Sequence, residues 1–157
     1  MSLKNHAFAA AVITAGALFV GLEPAHAAGK LCKLSISASD LMEYSTKVMT
    51  AGPGCSEIEV TLKNTGKQPR LLMGHDWVLV KAKDLQAVAH AGALAGLPNN
   101  YQKPGDPRII AATKVVGGGK STSVTFPASK LKKGGSYMYL CTFPGHDVLM
   151  RGVFHYR

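Results

Sequence analysis

Acidic residues are scarce in this chain. Of 157 residues only 9 are Asp or Glu, against 18 Lys or Arg, and the formal net charge is +9 at pH 7. Such a balance favours acidic partners or surfaces and attraction at long range. It does not point to nucleic acid: Lys33, Lys47, Lys63, Lys81, Lys103, Lys114 and Lys130 are scattered, and no aromatic-basic motif accompanies them. A well-solvated surface accounts for the charge equally well. Internal repeats and an interdomain linker are also missing, so the length fits one ordinary domain. The apolar run Ala7–Leu22, broken only by Thr14, is shorter than the roughly 20 residues that span a bilayer, so stable membrane insertion is not expected. Lys4 before it and Ala25-His26-Ala27 after it mark a secretory signal peptide over 1–27, cut after Ala27. The folded domain is then 28–157. The leader holds one Lys and one Glu, so the net charge belongs to the domain.

Cysteine is scarce too, with three residues. Export places them in an oxidising compartment, where pairs become disulfides. Cys32 and Cys55 flank one early segment and Cys141 lies far away, so the parsimonious bridge is Cys32–Cys55. A loop of that size stabilises by about 3 kcal/mol in the chain-entropy account. The leftover Cys141 thiol requires a reason. Burial as a small hydrophobe is one. Metal ligation is the other, since a coordinated thiolate is protected from stray pairing.

The residues after Cys141 favour the metal. Cys141-Thr142-Phe143-Pro144-Gly145-His146-Asp147-Val148-Leu149-Met150 puts a thiol, an imidazole and a thioether on one short loop. That soft set suits copper better than zinc, calcium or magnesium. A second imidazole, His75, stands far upstream in Met73-Gly74-His75-Asp76-Trp77. His75, Cys141 and His146 with a long axial Met150 make the His₂Cys arrangement of a blue-copper electron-transfer site. Each residue alone is weak evidence, because a single Met is more often core filler. His90 and His155 have no ligand spacing to anything, and Trp77 reads as a core aromatic.

Around these motifs the chain alternates. Cys32–Ser37 and Glu57–Lys63 follow a period of two, as half-buried strands of an antiparallel sheet do. Trp77–Val80, Ser121–Phe126, Ser136–Cys141, Gly152–Tyr156 and Arg108–Val115 are further strands, with Trp77–Val80 apolar on both faces. Asn64–Pro69 and Gly117–Gly119 turn the chain. One Ala-rich segment, Asp84–Ala95, carries Leu85, Val88 and Ala89 at helical spacing, with Asp84 as its cap and Gly96 and Pro98 as its stop. The pattern predicts an all-β Greek-key sandwich of about eight strands with one short inserted helix. Loops cluster at the ends of such a sandwich, so the segments bearing His75, Cys141 and Met150 can meet at one pole.

These residues carry a family resemblance. The chain resembles the azurins, the bacterial cupredoxins, in Met73-Gly74-His75-Asp76-Trp77-Val78-Leu79 and in Cys141-Thr142-Phe143-Pro144-Gly145-His146 followed by Met150. The loop spacing matches azurin rather than plastocyanin or amicyanin, and the likeness extends through Cys32, Cys55, the helix, Val124-Thr125-Phe126 and Ser129-Lys130-Leu131-Lys132. The resemblance implies one type 1 copper held by His75, Cys141 and His146, with Met150 axial and the Gly74 carbonyl a weak contact opposite. It implies that backbone amides of Asp76 and Phe143 donate to the Cys141 sulfur, and that Pro144 offers none. It further implies a soluble, monomeric periplasmic carrier cycling Cu(I)/Cu(II), not an enzyme. Its electrons pass through His146 in an apolar patch drawn from Leu72, Met73, Ala93, Pro144 and Gly145. The partners are redox proteins such as cytochromes, dehydrogenases or reductases with acidic docking faces. Four positions depart from the family pattern: Asp76 stands for Asn, Asn64 for a pH-sensitive histidine of some members, Ala93 for a methionine and Tyr44 for a phenylalanine. An ionised Asp76 would stabilise Cu(II) and lower the potential.

Overall fold

The computed structural model describes residues 29–157, so the signal-peptide reading of 1–27 lies outside the described residues. In chain order the elements are β1 (Lys30–Ser39), β2 (Glu43–Tyr44), β3 (Val48–Ala51), β4 (Cys55–Asn64), α1 (Arg70–Met73), β5 (Val78–Lys81), α2 (Leu85–Ala95), β6 (Ile109–Ala112), β7 (Ser121–Pro127), β8 (Tyr137–Leu140) and β9 (Arg151–Tyr156). They form two sheets, ordered β2-β1-β4-β7 and β3-β9-β8-β5-β6. The all-β sandwich with one inserted helix is therefore present, with nine strand segments among the described residues. β2 is only two residues long, too short for an alternation to show.

Period two correctly separated the faces. Ile58, Val60 and Leu62 of β4 are fully buried, and each such side chain contributes about 1.5–3 kcal/mol. Strand direction is a different matter. β1 runs parallel to β4, pairing Cys32 with Ile58 and Ile36 with Leu62, and β3 runs parallel to β9. The antiparallel expectation for β1 is corrected. Alternation reports a wet face and a dry one, not which way the neighbour runs. Between β1 and β4 the chain crosses to the other sheet through β3 and returns. The Cys32–Cys55 disulfide joins the ends of this parallel pair, with Cα atoms 5.6 Å apart.

β5 is buried on both faces because the helix covers the outer one. Leu79 joins Trp77, Tyr139 and Phe154 in the sandwich core. Val78 and Val80 point the other way and pack with Leu85, Val88 and Ala89 of α2. The expected Asp84 cap is not formed: Ala82–Asp84 is a 3₁₀ turn running into α2, and Asp84 makes no capping side-chain bond. Its backbone is already wound (φ −97°, ψ −5°), whereas a capping residue sits in extended backbone. The short helix α1 buries no residue, so no apolar stripe announced it.

Candidate metal centre

The fold brings His75, Cys141 and His146 together. All three are buried, and their donor atoms lie within 4.8 Å of one another. Cys141 Sγ is 4.0 Å from His75 Nδ1 and 3.6 Å from His146 Nδ1. Ligand bonds of about 2.0–2.3 Å around one ion place neighbouring donors roughly 3.5–4 Å apart, so the spacing fits a single small metal. Among the described residues this is the one cluster of three His, Cys, Asp or Glu donors close enough to share an ion. Cys141 is a free thiol.

Each donor is held by a different device. His75 follows α1 and pairs with Val116 in an isolated bridge, its N–H donating to the Val116 carbonyl at 3.0 Å. Its ring Nε2 donates to the Ser39 carbonyl of β1 at 2.9 Å. That bond assigns the proton to Nε2 and leaves the Nδ1 lone pair facing Cys141. Gly74 permits the approach, because a Cβ there would sit 2.5 Å from the Arg70 carbonyl oxygen and from Val115 Cγ1. Cys141 follows β8, and its N–H donates to the Met150 carbonyl at 2.9 Å. His146 follows a left-handed Gly145 (φ 82°), a conformation that favours glycine, and its N–H donates to the Phe143 carbonyl at 3.0 Å. Met150 is fully buried immediately before β9 and belongs to the sandwich core.

Burial dominates the electrostatics. It lowers the pKa of His75, against the Ser39 carbonyl and Asp40, which raise it. It lowers His146 to about 4, helped by the neighbouring His75. Both rings are therefore neutral at pH 7 and ready to ligate. Burial also pushes the Cys141 thiol well up, as does the Asp76 carboxylate, while backbone amides of Asp76 and Phe143 oppose them. Asp76 itself is raised by burial and lowered by its donors Thr142 and Gln102. A thiol, two neutral imidazoles and a thioether, all buried, suit a soft or borderline ion such as copper.

Comparison with known proteins decides the family. The family model for copper-binding proteins of the plastocyanin/azurin family matches residues 30–155. The chain belongs to the plastocyanin/azurin family. It is 49% identical to the azurin of Bordetella pertussis over 122 residues, 78% of this chain and 81% of that one. It is 46% identical to the azurin of Pseudomonas aeruginosa, over 78% of this chain and 82% of that one. The solved structure of an azurin from the obligate methylotroph Methylomonas sp. strain J aligns with a TM-score of 0.78 and 42% identity, covering 80% of this chain and 98% of that one. The donor cluster and this kinship agree on one copper per chain.

Within this azurin framework His146 is 3% exposed. Phe143 stacks on it, centroids 4.5 Å apart. Ala93 and Pro144 are exposed and line one shallow cavity with His90 and Gly145. Leu72 is 65% exposed and Met73 half-buried. Leu71, Leu94, Val148 and Leu149 are exposed as well, and no spacing or motif singles them out. Asn64 is fully buried, its amide donating to the Met73 and Val116 carbonyls that flank His75. Tyr44 donates its hydroxyl to the Asp76 carbonyl. Neither Ser39 nor Gln102 carried a sequence signal: one acts through its backbone, the other through contacts distant in the chain.

Proposed function

We propose that this chain is a soluble electron carrier of the periplasm, exported by the signal peptide 1–27 and folded over 28–157. The observation that carries this reading is the buried His75–Cys141–His146 cluster with its proton already assigned away from the metal side of His75. These three residues would hold the copper, with the Met150 thioether and the Gly74 carbonyl as further weak donors. Copper bound there supplies one-electron chemistry between Cu(I) and Cu(II). The protein's part is to keep one shape for both charges. The Ser39 carbonyl locks the His75 ring, and Met150 is buried in the same core as Tyr139. The amides of Asp76 and Phe143 face the charge that Cys141 acquires on losing its proton.

A His₂Cys set with a thioether is the donor set of an electron-transfer site, which supports reading the protein as a carrier and not an enzyme. Electrons pass through His146 and the patch of Leu72, Met73, Ala93 and Pro144. Redox encounters use small, transient interfaces, which fits a monomer meeting cytochromes, dehydrogenases or reductases. Among the described residues two ion pairs form, Lys33–Glu59 and Arg108–Asp106. Most cations are thus free to attract an acidic docking face. No described helix is long and apolar enough to cross a membrane.

Absorbance tests the reading. The oxidised, copper-loaded protein shows an intense thiolate-to-copper band near about 600 nm, and Cys141→Ser abolishes it. A colourless protein with stoichiometric copper contradicts it. Exchange with an acidic redox protein slows as ionic strength rises; a rate indifferent to salt removes the steering and leaves the site.

A further inference from the structure

We propose that Gln102 is a positioning residue of the metal centre and works as one unit with Asp76. The Asp76 side chain is fully buried. Its Oδ1 accepts the Thr142 N–H at 2.7 Å, and its Oδ2 accepts the Thr142 hydroxyl at 2.6 Å and the Gln102 amide at 2.9 Å. The same Gln102 nitrogen donates to the Thr113 carbonyl at 2.7 Å. Both protons of one amide are therefore committed to oxygen acceptors. Turning the amide over would set Oε1 against two acceptors, so the network fixes its orientation.

The reach of this network gives Gln102 its role. Asp76 follows His75, and Thr142 follows Cys141. Thr113 is tied to the same region, donating its N–H to the Trp77 carbonyl at 3.0 Å and accepting the Trp77 N–H on its hydroxyl at 2.9 Å. Gln102 sits in the connection between α2 and β6, which supplies no metal donor. From there it holds the Asp76 carboxylate, which in turn joins the segment that carries one imidazole to the segment that carries the thiol.

The consequence is a requirement on residue 76. Three donors converge there, so the side chain must accept at both ends. Asparagine cannot: one way round its NH₂ meets the Thr142 amide, and the other way it meets the Gln102 amide. Deleting the Gln102 amide relieves the second conflict. Asp76 and Gln102 are therefore coupled, and the identity of residue 102 decides what residue 76 can be.

The effect on copper rests on the proposed function, whereas the hydrogen-bonded unit does not. A double-mutant cycle of the full domain separates the two, using Gln102→Leu, Asp76→Asn and the double variant. Urea unfolding of the copper-free proteins comes first. Asp76→Asn lowers the folded-to-unfolded ratio by about tenfold more when Gln102 is present than when Leu replaces it. Strictly additive losses overturn the proposal. In the copper-loaded proteins, Gln102→Leu shifts the reduction potential and the thiolate-to-copper band with Asp76 in place and leaves both unchanged after Asp76→Asn. Equal shifts in both backgrounds overturn the positioning role, because a purely structural loss would not depend on residue 76. Coupling in the copper-free protein without any copper binding overturns the copper reading and the metal-centre role together, while the pairing stands. If Gln102→Leu does not fold, Gln102→Met keeps the chain length, drops the donors and gives the same contrast.

Discussion

The two segments that supply donors are built in opposite ways. The downstream loop from Cys141 to Met150 holds itself together. Its amides at His146, Leu149, Met150 and Cys141 all find carbonyls within the loop, at 3.0, 3.1, 2.7 and 2.9 Å. The upstream segment around His75 is held from outside, by Ser39, Asn64 and Val116. One ligand loop is thus a local structure, and the other is a product of the whole sandwich. The loop's outside ties are few: Thr142 to Asp76, and Leu149 to the Lys47 ammonium at 2.7 Å.

Acid titration strikes both halves and has the largest expected effect. In the unfolded chain an imidazole takes up a proton near pH 6.5, but in the copper-free fold His146 does so only at about 4. His75 is shifted in the same direction. The folded state then binds fewer protons than the unfolded one, so copper-free stability falls as pH drops from 6.5 towards 4. The loss through His146 alone reaches at most about 3 kcal/mol. Urea midpoints across that range check it, and copper-loaded protein should lose less because its ligand nitrogens are occupied. A flat profile without copper would show that the cluster is not desolvated.

Asn64→Ala sharpens the contrast next. It leaves the Met73 and Val116 carbonyls short of a buried donor, at a cost of about 1–3 kcal/mol in urea unfolding. The loop's own bonds persist, so the copper band survives in the folded fraction. Tyr44→Phe removes the hydroxyl donated to the Asp76 carbonyl and costs about 1 kcal/mol by the same measurement. Lys47→Met is the smallest. Lys47 is solvent-exposed, and losing its bond to the loop costs less than about 1 kcal/mol. A loss larger than that of Asn64→Ala would reverse the comparison, making the loop the dependent half.

The same difference explains what could be read from the sequence. The downstream donors were legible because their spacing is local and because a third cysteine had no partner. His75 was legible only as the remaining histidine in a suitable motif. The contacts that orient it were not, since Ser39 uses a carbonyl that any residue would offer. Gln102 was equally silent, being 26 residues from Asp76. Alternation placed Ile58, Val60 and Leu62 in the core but said nothing of the parallel pairing of β1 with β4. Trp77–Val80 reads as apolar on both faces and β5 does lie inside its sheet, but that α2 covers Val78 and Val80 is not written in the pattern. The near-complete burial of His146 depends on how Phe143 stacks, which spacing does not encode.

Spectroelectrochemical titration of the copper-loaded domain tests the central claim most directly. The account predicts one copper per chain and a visible thiolate-to-copper band that bleaches and returns reversibly with one electron per copper. A bound copper whose band is missing, or is unchanged across the titration, would contradict it.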